Sequence, residues 1–238
     1  MLLVERNLAE SRTRAQAIIA AGKVYSNEVK LDKPGHMVAQ DMSITIREAE
    51  HPWVSRGGMK LAHGLAYFAV DAKDKICLDV GASTGGFTDV LLHNGAAKVY
   101  AVDVGHGQLD WKLRQDARVA VLEKTNARNL DAHIIPQVPE LIVCDASFIS
   151  LKTVLPAALA LAASRAMLIA LIKPQFEVGK GKVGKGGVVR DADLHQQVCD
   201  DITAWLNGLG DWSVLGITES PLKGPKGNTE FLVAAQKR

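Results

Sequence analysis

Three cysteines in 238 residues, Cys77, Cys144 and Cys199, are too few and too scattered for a disulfide framework or a zinc site. Two of them, Cys77 and Cys144, lie inside apolar runs and read as small core residues. Seven histidines are dispersed without a ligand-like pair, so no metal site is expected. No segment approaches the 18 or so uninterrupted apolar residues that a membrane span requires. The N-terminal Met1-Leu2-Leu3-Val4-Glu5-Arg6 lacks the charged, apolar and small-residue order of a signal peptide, and a cytoplasmic location is expected. A net charge of only +2 means that affinity for a polyanion has to come from local patches. The hydrophobic content of 47% still leaves side chains for a sizeable core, in one large domain or in a small and a medium one.

The most informative stretch runs from Ile76 to Leu92. Ile76-Cys77-Leu78 and Val80 read as a buried strand, Gly81-Ala82-Ser83-Thr84-Gly85-Gly86 as a small-residue turn, and Phe87 to Leu92 as the start of a helix. Such a loop brings backbone close to a ligand, and an acid at the tip of the next strand is suited to a ribose hydroxyl. Asp103, ending Val99-Tyr100-Ala101-Val102, supplies that acid 103 − 81 = 22 residues after the first loop glycine. The loop lacks the middle glycine of a dinucleotide fingerprint, because Ser83 takes that place, and it lacks the Gly-Lys-Ser/Thr of a P-loop. The spacing resembles the first motif of S-adenosylmethionine-dependent methyltransferases, which implies that Asp79 and Gly81 to Phe87 hold the amino-acid end and Asp103 the ribose. A doubly wound domain for another nucleotide fits the loop alone as well.

Residues 1–46 read as a separate small module. Ser11 can cap a helix with Ala15, Ile18 and Ile19 on its apolar face and Gly22 at its end. Lys23–Val29 and Met42–Ile46 follow as short strands, with Lys33-Pro34-Gly35 as a turn. Leu3-Val4-Glu5-Arg6, Ser11-Arg12-Thr13-Arg14-Ala15 and Ala21-Gly22-Lys23-Val24 resemble the S4 RNA-binding domain. The resemblance implies that Arg6, Arg12, Arg14 and Lys23 meet RNA phosphates. Charge alone is equally consistent with a solvated face, since residues 1–60 hold nine Lys/Arg against seven Asp/Glu.

Residues 47–54 read as a linker broken by Pro52. Trp53 is placed either between the domains or over the second core. Ser55-Arg56-Gly57-Gly58-Met59-Lys60 then opens a helix, which sets Lys60 either near a bound anion or reacting group or on an ordinary surface. Residues 55–238 alternate strand and helix: strands at Val119–Leu122, Leu141–Asp145 and Ala166–Lys173, helices at Leu151–Ala163 and Asp191–Leu209, and a final hairpin of Trp212–Thr218 with Phe231–Ala235. This pattern predicts a mostly parallel sheet covered on both faces. Ligands bind outside the carboxyl ends of such strands, where Asp79, Asp103, Asp145 and Lys173 all fall.

Ser-Arg-Gly-Gly-x-Lys-Leu, the glycine loop, Cys-Asp-Ala-Ser-Phe-Ile-Ser, Ile-Lys-Pro-Gln-Phe-Glu, Gly-Gly-Val-Val-Arg-Asp and Gly-Asn-x-Glu-Phe-Leu together resemble the TlyA (hemolysin A-like) family. That resemblance implies a Rossmann-like class I methyltransferase, an α/β fold with a mostly parallel seven-stranded sheet, behind a small α+β S4 domain. It implies S-adenosyl-L-methionine as cofactor, ribosomal RNA or ribosomal subunits as partner, and 2′-O-methylation of a cytidine ribose. The catalytic set it implies is Lys60, Asp145, Lys173 and Glu230, with Lys173 as base. A lysine serves as base for a weakly acidic hydroxyl when burial or a neighbouring cation lowers its pKa. Asn126 is a candidate for the adenine edge, which a helix cap would explain as well, and Glu177 is a rival for the fourth catalytic place.

Residues 173–190 carry five Lys/Arg, one acid and five glycines. The stretch reads as a basic loop in which Lys180, Lys182 and Lys185 either close over an RNA backbone or face solvent. A non-catalytic ribosome-assembly factor on the same scaffold is the alternative function. Its weakness is that a scaffold has no use for converging charges. A membrane-lysing protein is disfavoured by the absence of a span or a basic amphipathic helix.

Overall fold

In the computed structural model the chain divides into two compact units, Met1–Pro52 and Trp53–Arg238. Residues 2–20, 23–26, 29–31, 35, 37–46, 51–179, 181–184 and 186–238 are described. Gly22, Lys33-Pro34 of the predicted turn, residues 47–50 of the predicted linker, Lys180 and Lys185 lie outside them.

The first unit pairs two helices, α1 (Leu2–Glu5) and α2 (Arg12–Ala20), with an antiparallel sheet of order β2-β1-β3, in which β1 is Val24–Ser26, β2 Val29–Lys30 and β3 Thr45–Ile46. Ser11 precedes α2, and its carbonyl accepts the Ala15 N–H at 2.9 Å. Leu3, Ala9, Ala15, Val24 and Leu31 form the core, with Ile18 and Ile19 packed against it.

The second unit runs α3 (Gly57–Tyr67), β4 (Ile76–Val80), α4 (Gly86–His93), β5 (Lys98–Val102), α5 (Trp111–Arg114), β6 (Val119–Leu122), β7 (Leu141–Cys144), α6 (Leu151–Val154), α7 (Pro156–Ala160), β8 (Met167–Ile172), α8 (Pro174–Glu177), α9 (Ala192–Gly208), β9 (Trp212–Glu219) and β10 (Phe231–Lys237). Its seven strands take the order β6-β5-β4-β7-β8-β10-β9. β4 to β8 are parallel, and β10 is antiparallel to both β8 and β9. The Rossmann-like α/β architecture expected from the sequence is therefore present.

Side chains alternate across the sheet as the strand period of two requires. Leu78, Val80, Ile142, Cys144, Leu168 and Ala170 join the core beneath α6, α7 and α9. Cys77, Val99, Leu141, Val143, Ile169 and Leu171 join the opposite core beneath α3, α4 and α5. Helix α9 contributes Val198, Cys199, Ile202 and Leu206, an apolar stripe at helical spacing. Burial pushes the Cys77 and Cys144 thiols up to about 12 and Cys199 to about 11, as expected of packing residues.

The single helix predicted over Leu151–Ala163 is two short ones. Pro156 has no N–H to continue α6 and instead stands at the first position of α7, where none is needed. Trp53 packs with the α3–α4 core of its own unit.

Gly85, the residue before α4, has φ +95°, and a Cβ there would stand 2.2 Å from Leu113 Cδ1 and 2.8 Å from Leu109 Cδ1. Gly85→Ala combines left-handed strain with overpacking of buried leucines. A loss of about 1–3 kcal/mol is expected, read by denaturant unfolding.

Candidate active site

Because β4 to β8 are parallel, their carboxyl ends share one edge of the sheet. Asp103 follows β5, Asp145 follows β7 and Lys173 follows β8. Glu230 reaches the same edge by the opposite route. It precedes β10, whose first residue Phe231 lies opposite Ile172, the last residue of β8, so antiparallel register sets Glu230 beside Lys173. Lys60 arrives from the end of the first turn of α3, whose Leu61 and Leu65 are buried against the sheet and whose Gly64 approaches Ile169 and Leu232.

The four residues form two ion pairs. Lys173 Nζ lies 2.6 Å from Asp145 Oδ1 and donates to Ser147 Oγ at 2.8 Å and to the Asp145 carbonyl at 3.2 Å. Lys60 Nζ donates to Glu230 Oε2 at 2.6 Å. Lys173 and Glu230 are buried, at 6% and 1% exposure. The second carboxylate oxygen of Glu230 is buried without a hydrogen-bond partner. A Cβ at Gly224 would fall 2.0 Å from it, so that turn closes over the carboxylate only because residue 224 has no side chain.

All four line a cavity of about 540 Å³ together with Gly81, Ala82, Ser83, Thr84, Gly86 and Phe87 of the glycine loop. A second cavity of about 520 Å³ shares Gly81, Ser83, Asp145 and Ser147 with the first and continues past Asp103 and Asn126 over Val80, Val102, Ala127, Ile149 and Val154. Gly81, at φ +86°, sits where the two meet, with the backbone of Ala146 only 3.0 Å from where a Cβ would be. The result is a trough, one half polar and rich in charge, the other lined largely by apolar side chains, with Asp103 as the carboxylate that it does not share with the first.

That carboxylate already accepts two backbone N–H groups, Ser83 to Asp103 Oδ2 at 2.8 Å and Gly105 to Oδ1 at 2.6 Å. Its remaining lone pairs are available to hydroxyls. Asn126 lines the second cavity but also caps the short turn Ala127–Asn129, accepting from Arg128 N–H at 3.1 Å, so both readings of this residue meet in one place.

Asp79 behaves differently. It is the fourth residue of β4 and faces α4 by strand alternation. It is fully buried, accepts from Thr88 Oγ1 at 2.7 Å and lines neither cavity. Its other oxygen has no partner, and burial pushes its pKa up to about 7, against the opposing Thr88 hydrogen bond. It supports the loop from beneath. Gly85 likewise faces the leucines of α5. Glu177 is drawn away to cap α6, accepting from Ser150 Oγ at 2.6 Å and Leu151 N–H at 2.8 Å.

Several residues escaped the sequence reading. Ser147 holds Lys173 and was visible only as part of the motif around Asp145. Phe148 lines the second cavity, is 90% exposed, has φ +65° and sits 5.1 Å from the ring of Phe176. Glu123 follows β6 as Asp103 follows β5. It organises the loop beside the trough by accepting the N–H groups of Gly107 and Gln108 and the Arg114 guanidinium. Those bonds, the Gly107 N–H foremost, hold its carboxyl down at about 2.

In the first unit, Arg6 turns inward, donating to the carbonyls of Met42, at 2.6 Å, and Gln40. It therefore clasps the module together. Arg12 is exposed and Lys23 half-buried. Lys182 is exposed in the second unit. Among the described residues no His, Cys, Asp and Glu cluster is arranged to hold a metal, and no helix is long and apolar enough to cross a membrane.

Residues 53–237 match the FtsJ-like methyltransferase family, and residues 1–44 match the S4 domain. The chain is 49% identical over 232 residues to the 16S/23S rRNA (cytidine-2′-O)-methyltransferase TlyA of Mycobacterium tuberculosis, covering 97% of this chain and 86% of that protein. It is 42% identical to Hemolysin A of Brachyspira hyodysenteriae, covering 94% and 92%. A solved structure of a hemolysin-named protein from Streptococcus thermophilus superimposes with TM-score 0.78 at 41% identity over 99% of this chain and 86% of that one. An O-methyltransferase from Bacillus cereus, solved with S-adenosylhomocysteine, shares the fold at TM-score 0.53 and 18% identity, over 77% and 82%.

The raised pKa of Asp79 has a stability consequence. Between pH 4 and 7 the unfolded chain releases this proton while the folded chain keeps it, so the group's contribution is fully present below about pH 4 and is lost as pH rises to about 7. Unfolding measured across that range should show Asp79→Asn gaining on the wild type by several kcal/mol, at about 1.4 kcal/mol per pKa unit. A constant difference would place the titration elsewhere.

Proposed function

The chain belongs to the FtsJ-like methyltransferase family, with an S4 domain ahead of the catalytic fold, and from that premise we propose that it methylates a ribose 2′-hydroxyl of ribosomal RNA, using S-adenosylmethionine. The observation that carries this reading is the set of paired charges, Lys173 with Asp145 and Lys60 with Glu230, in a cavity walled by the glycine loop. The cytidine named for the relative from Mycobacterium tuberculosis makes a cytidine ribose the first substrate to test.

The trough fits the cofactor by its chemistry. The aliphatic half past Asp103 suits a purine and its ribose, with Asp103 accepting the ribose hydroxyls and Asn126 or the backbone beside it meeting the adenine edge. The backbone of Gly81 to Thr84, with Gly86 and Phe87, then holds the amino-acid end beside the charged half. When bound, the cofactor supplies a methyl group on a sulfonium.

The chain's residues would hold the ribose 2′-hydroxyl beside that methyl, in the charged half of the trough. Lys173 would serve as the base that takes the proton of the ribose hydroxyl. Asp145 and Ser147 fix the direction of its nitrogen. Lys60, held by Glu230, orients the hydroxyl from the other side. Asp79 supports the loop and touches no reactant. The flipped nucleotide finds an exposed ring in Phe148, suited to stacking on a base. Arg12, Arg14 and Lys23 of the S4 module and Lys180, Lys182 and Lys185 of the basic loop are proposed to meet RNA phosphates.

Labelled methyl transfer from S-adenosylmethionine to ribosomal subunits and to free ribosomal RNA, with mapping of alkali-resistant linkages, tests the reading. A site-specific ribose mark is expected from the wild type. Lys173→Ala should lower the rate by at least about 100-fold while cofactor affinity, measured by calorimetry, stays within a few-fold. Loss of cofactor binding in that variant, or absence of transfer by the wild type to any ribosomal RNA, would sink the assignment.

A further inference from the structure

The cavity that holds the two lysine–carboxylate pairs is lined by three more cations, Arg56, Lys223 and Lys226. The lysines of the pairs are neutralised within the site, each by its own carboxylate. Lys223 is held on the turn between β9 and β10 by Glu219 and Thr229, each at 2.9 Å. Arg56 and Lys226 are exposed, and neither is paired with a carboxylate among the described residues. A cavity already balanced by Asp145 and Glu230 therefore carries unbalanced positive charge at its rim.

Lys226 has a second peculiarity. It has φ +60° and ψ 15°, the left-handed region, where a residue with a side chain is disfavoured. Gly227 follows it, so the turn has a permissive residue next door and still places a lysine here. Strain of this kind persists only where the surroundings over-determine it. They do so through Asn228, which is buried at 3% exposure. Its Oδ1 accepts the Val189 N–H at 3.1 Å, its Nδ2 donates to the Gly187 carbonyl at 3.0 Å, and its own carbonyl accepts the Gly224 N–H at 2.8 Å. The turn bearing Lys226 is thus bolted to the end of the glycine-rich basic segment, and the lysine tip lies 3.8 Å from where a Cβ on Gly187 would be.

We propose that Arg56 and Lys226, with Lys223 beside Lys226, form a phosphodiester subsite that seats the RNA backbone on either side of the reacting ribose. The inference rests on the methyl-transfer reading above. Its chemical ground is that a 2′-oxygen is never far from a phosphate, since the 3′-phosphodiester hangs from the adjacent ring carbon. Cations that line the reacting cavity without carboxylate partners are placed to meet that charge. Asn228 is a positioning residue that holds Lys226 in the orientation the phosphate requires.

The same cations could instead meet the carboxylate of the cofactor's amino-acid end, and the experiment separates the two anions. Lys226→Gly removes the charge while relieving the backbone strain, so the variant should fold at least as stably as the wild type. Lys226→Arg restores the charge. Full-length protein is titrated against transcribed ribosomal RNA over a series of salt concentrations, cofactor affinity is measured by calorimetry, and methyl-transfer kcat and KM are determined. Lys226→Gly should weaken RNA binding roughly tenfold. It should also reduce the slope of log affinity against log salt by about 0.7–0.9, raise KM for RNA with little change in kcat, and leave cofactor affinity unchanged. Lys226→Arg should recover the slope.

An unchanged salt slope and KM would overturn the subsite, as would RNA binding too weak to measure in the wild type. A fall in cofactor affinity with RNA binding intact would assign the cations to the carboxylate and also overturn it. If the wild type binds RNA but transfers no methyl, the functional reading fails, while the salt slope still decides the subsite.

Discussion

Antiparallel pairing of one strand determines most of what this molecule can do. Were β10 parallel to its neighbours, its amino end would lie at the far edge of the sheet, and Glu230 with it. Because β10 runs against β8, with Phe231 opposite Ile172, the residue before one strand meets the residue after the other. Six register pairs, Phe231–Ile172 to Gln236–Met167, fix this alignment, and a slip by one would turn Leu232 and Ala234 from one core to the other. Two hydrophobic cores thus enforce the position of a buried carboxylate at the active edge.

From that carboxylate the rest of the site follows by pairing. A buried charge left without a partner is costly, and Lys60 reaches Glu230 across 170 residues of sequence. The position of Lys60 is set in turn by Leu61 and Leu65, which anchor α3, and by Gly64, which lets the helix approach the sheet. Lys173 finds Asp145 because β7 and β8 are adjacent and parallel, with Cys144 opposite Ala170. Each lysine is oriented by a group whose own place is a consequence of packing. Among the described residues Arg56 and Lys226 lack such carboxylate partners, and that difference separates the site proposed to align a reaction from the rim proposed to receive a polyanion.

Acidic residues at strand ends look alike in sequence and diverge in the fold. Asp103, Glu123 and Asp145 each stand next after an apolar strand. Asp103 faces the trough, Asp145 holds a lysine, and Glu123 gathers the amides of a loop. Asp79 lies two residues earlier than such a place, within β4 instead of past its end, and that displacement seats it in the core beneath α4. Its depth within the strand decides this, and no motif states it.

By itself the sequence determined the α/β class and the glycine loop, because these depend on hydrophobic periodicity and on local turn chemistry, while the proposed catalytic set was implied by the resemblance of its motifs to a family. Glycines at 81 and 85, for example, are required by positive φ and close backbone or leucine neighbours, which short-range spacing already suggests. Only the tertiary structure decided which charges pair, that Asp79 is sealed from the trough, that Glu177 caps a helix and that Arg6 clasps its own module. It also revealed Ser147, Phe148 and the bolted turn of Lys226. The physical reason is that pairing and burial depend on strand register and on contacts between residues far apart in the chain, whereas periodicity and turn propensity are written within a few residues of each other.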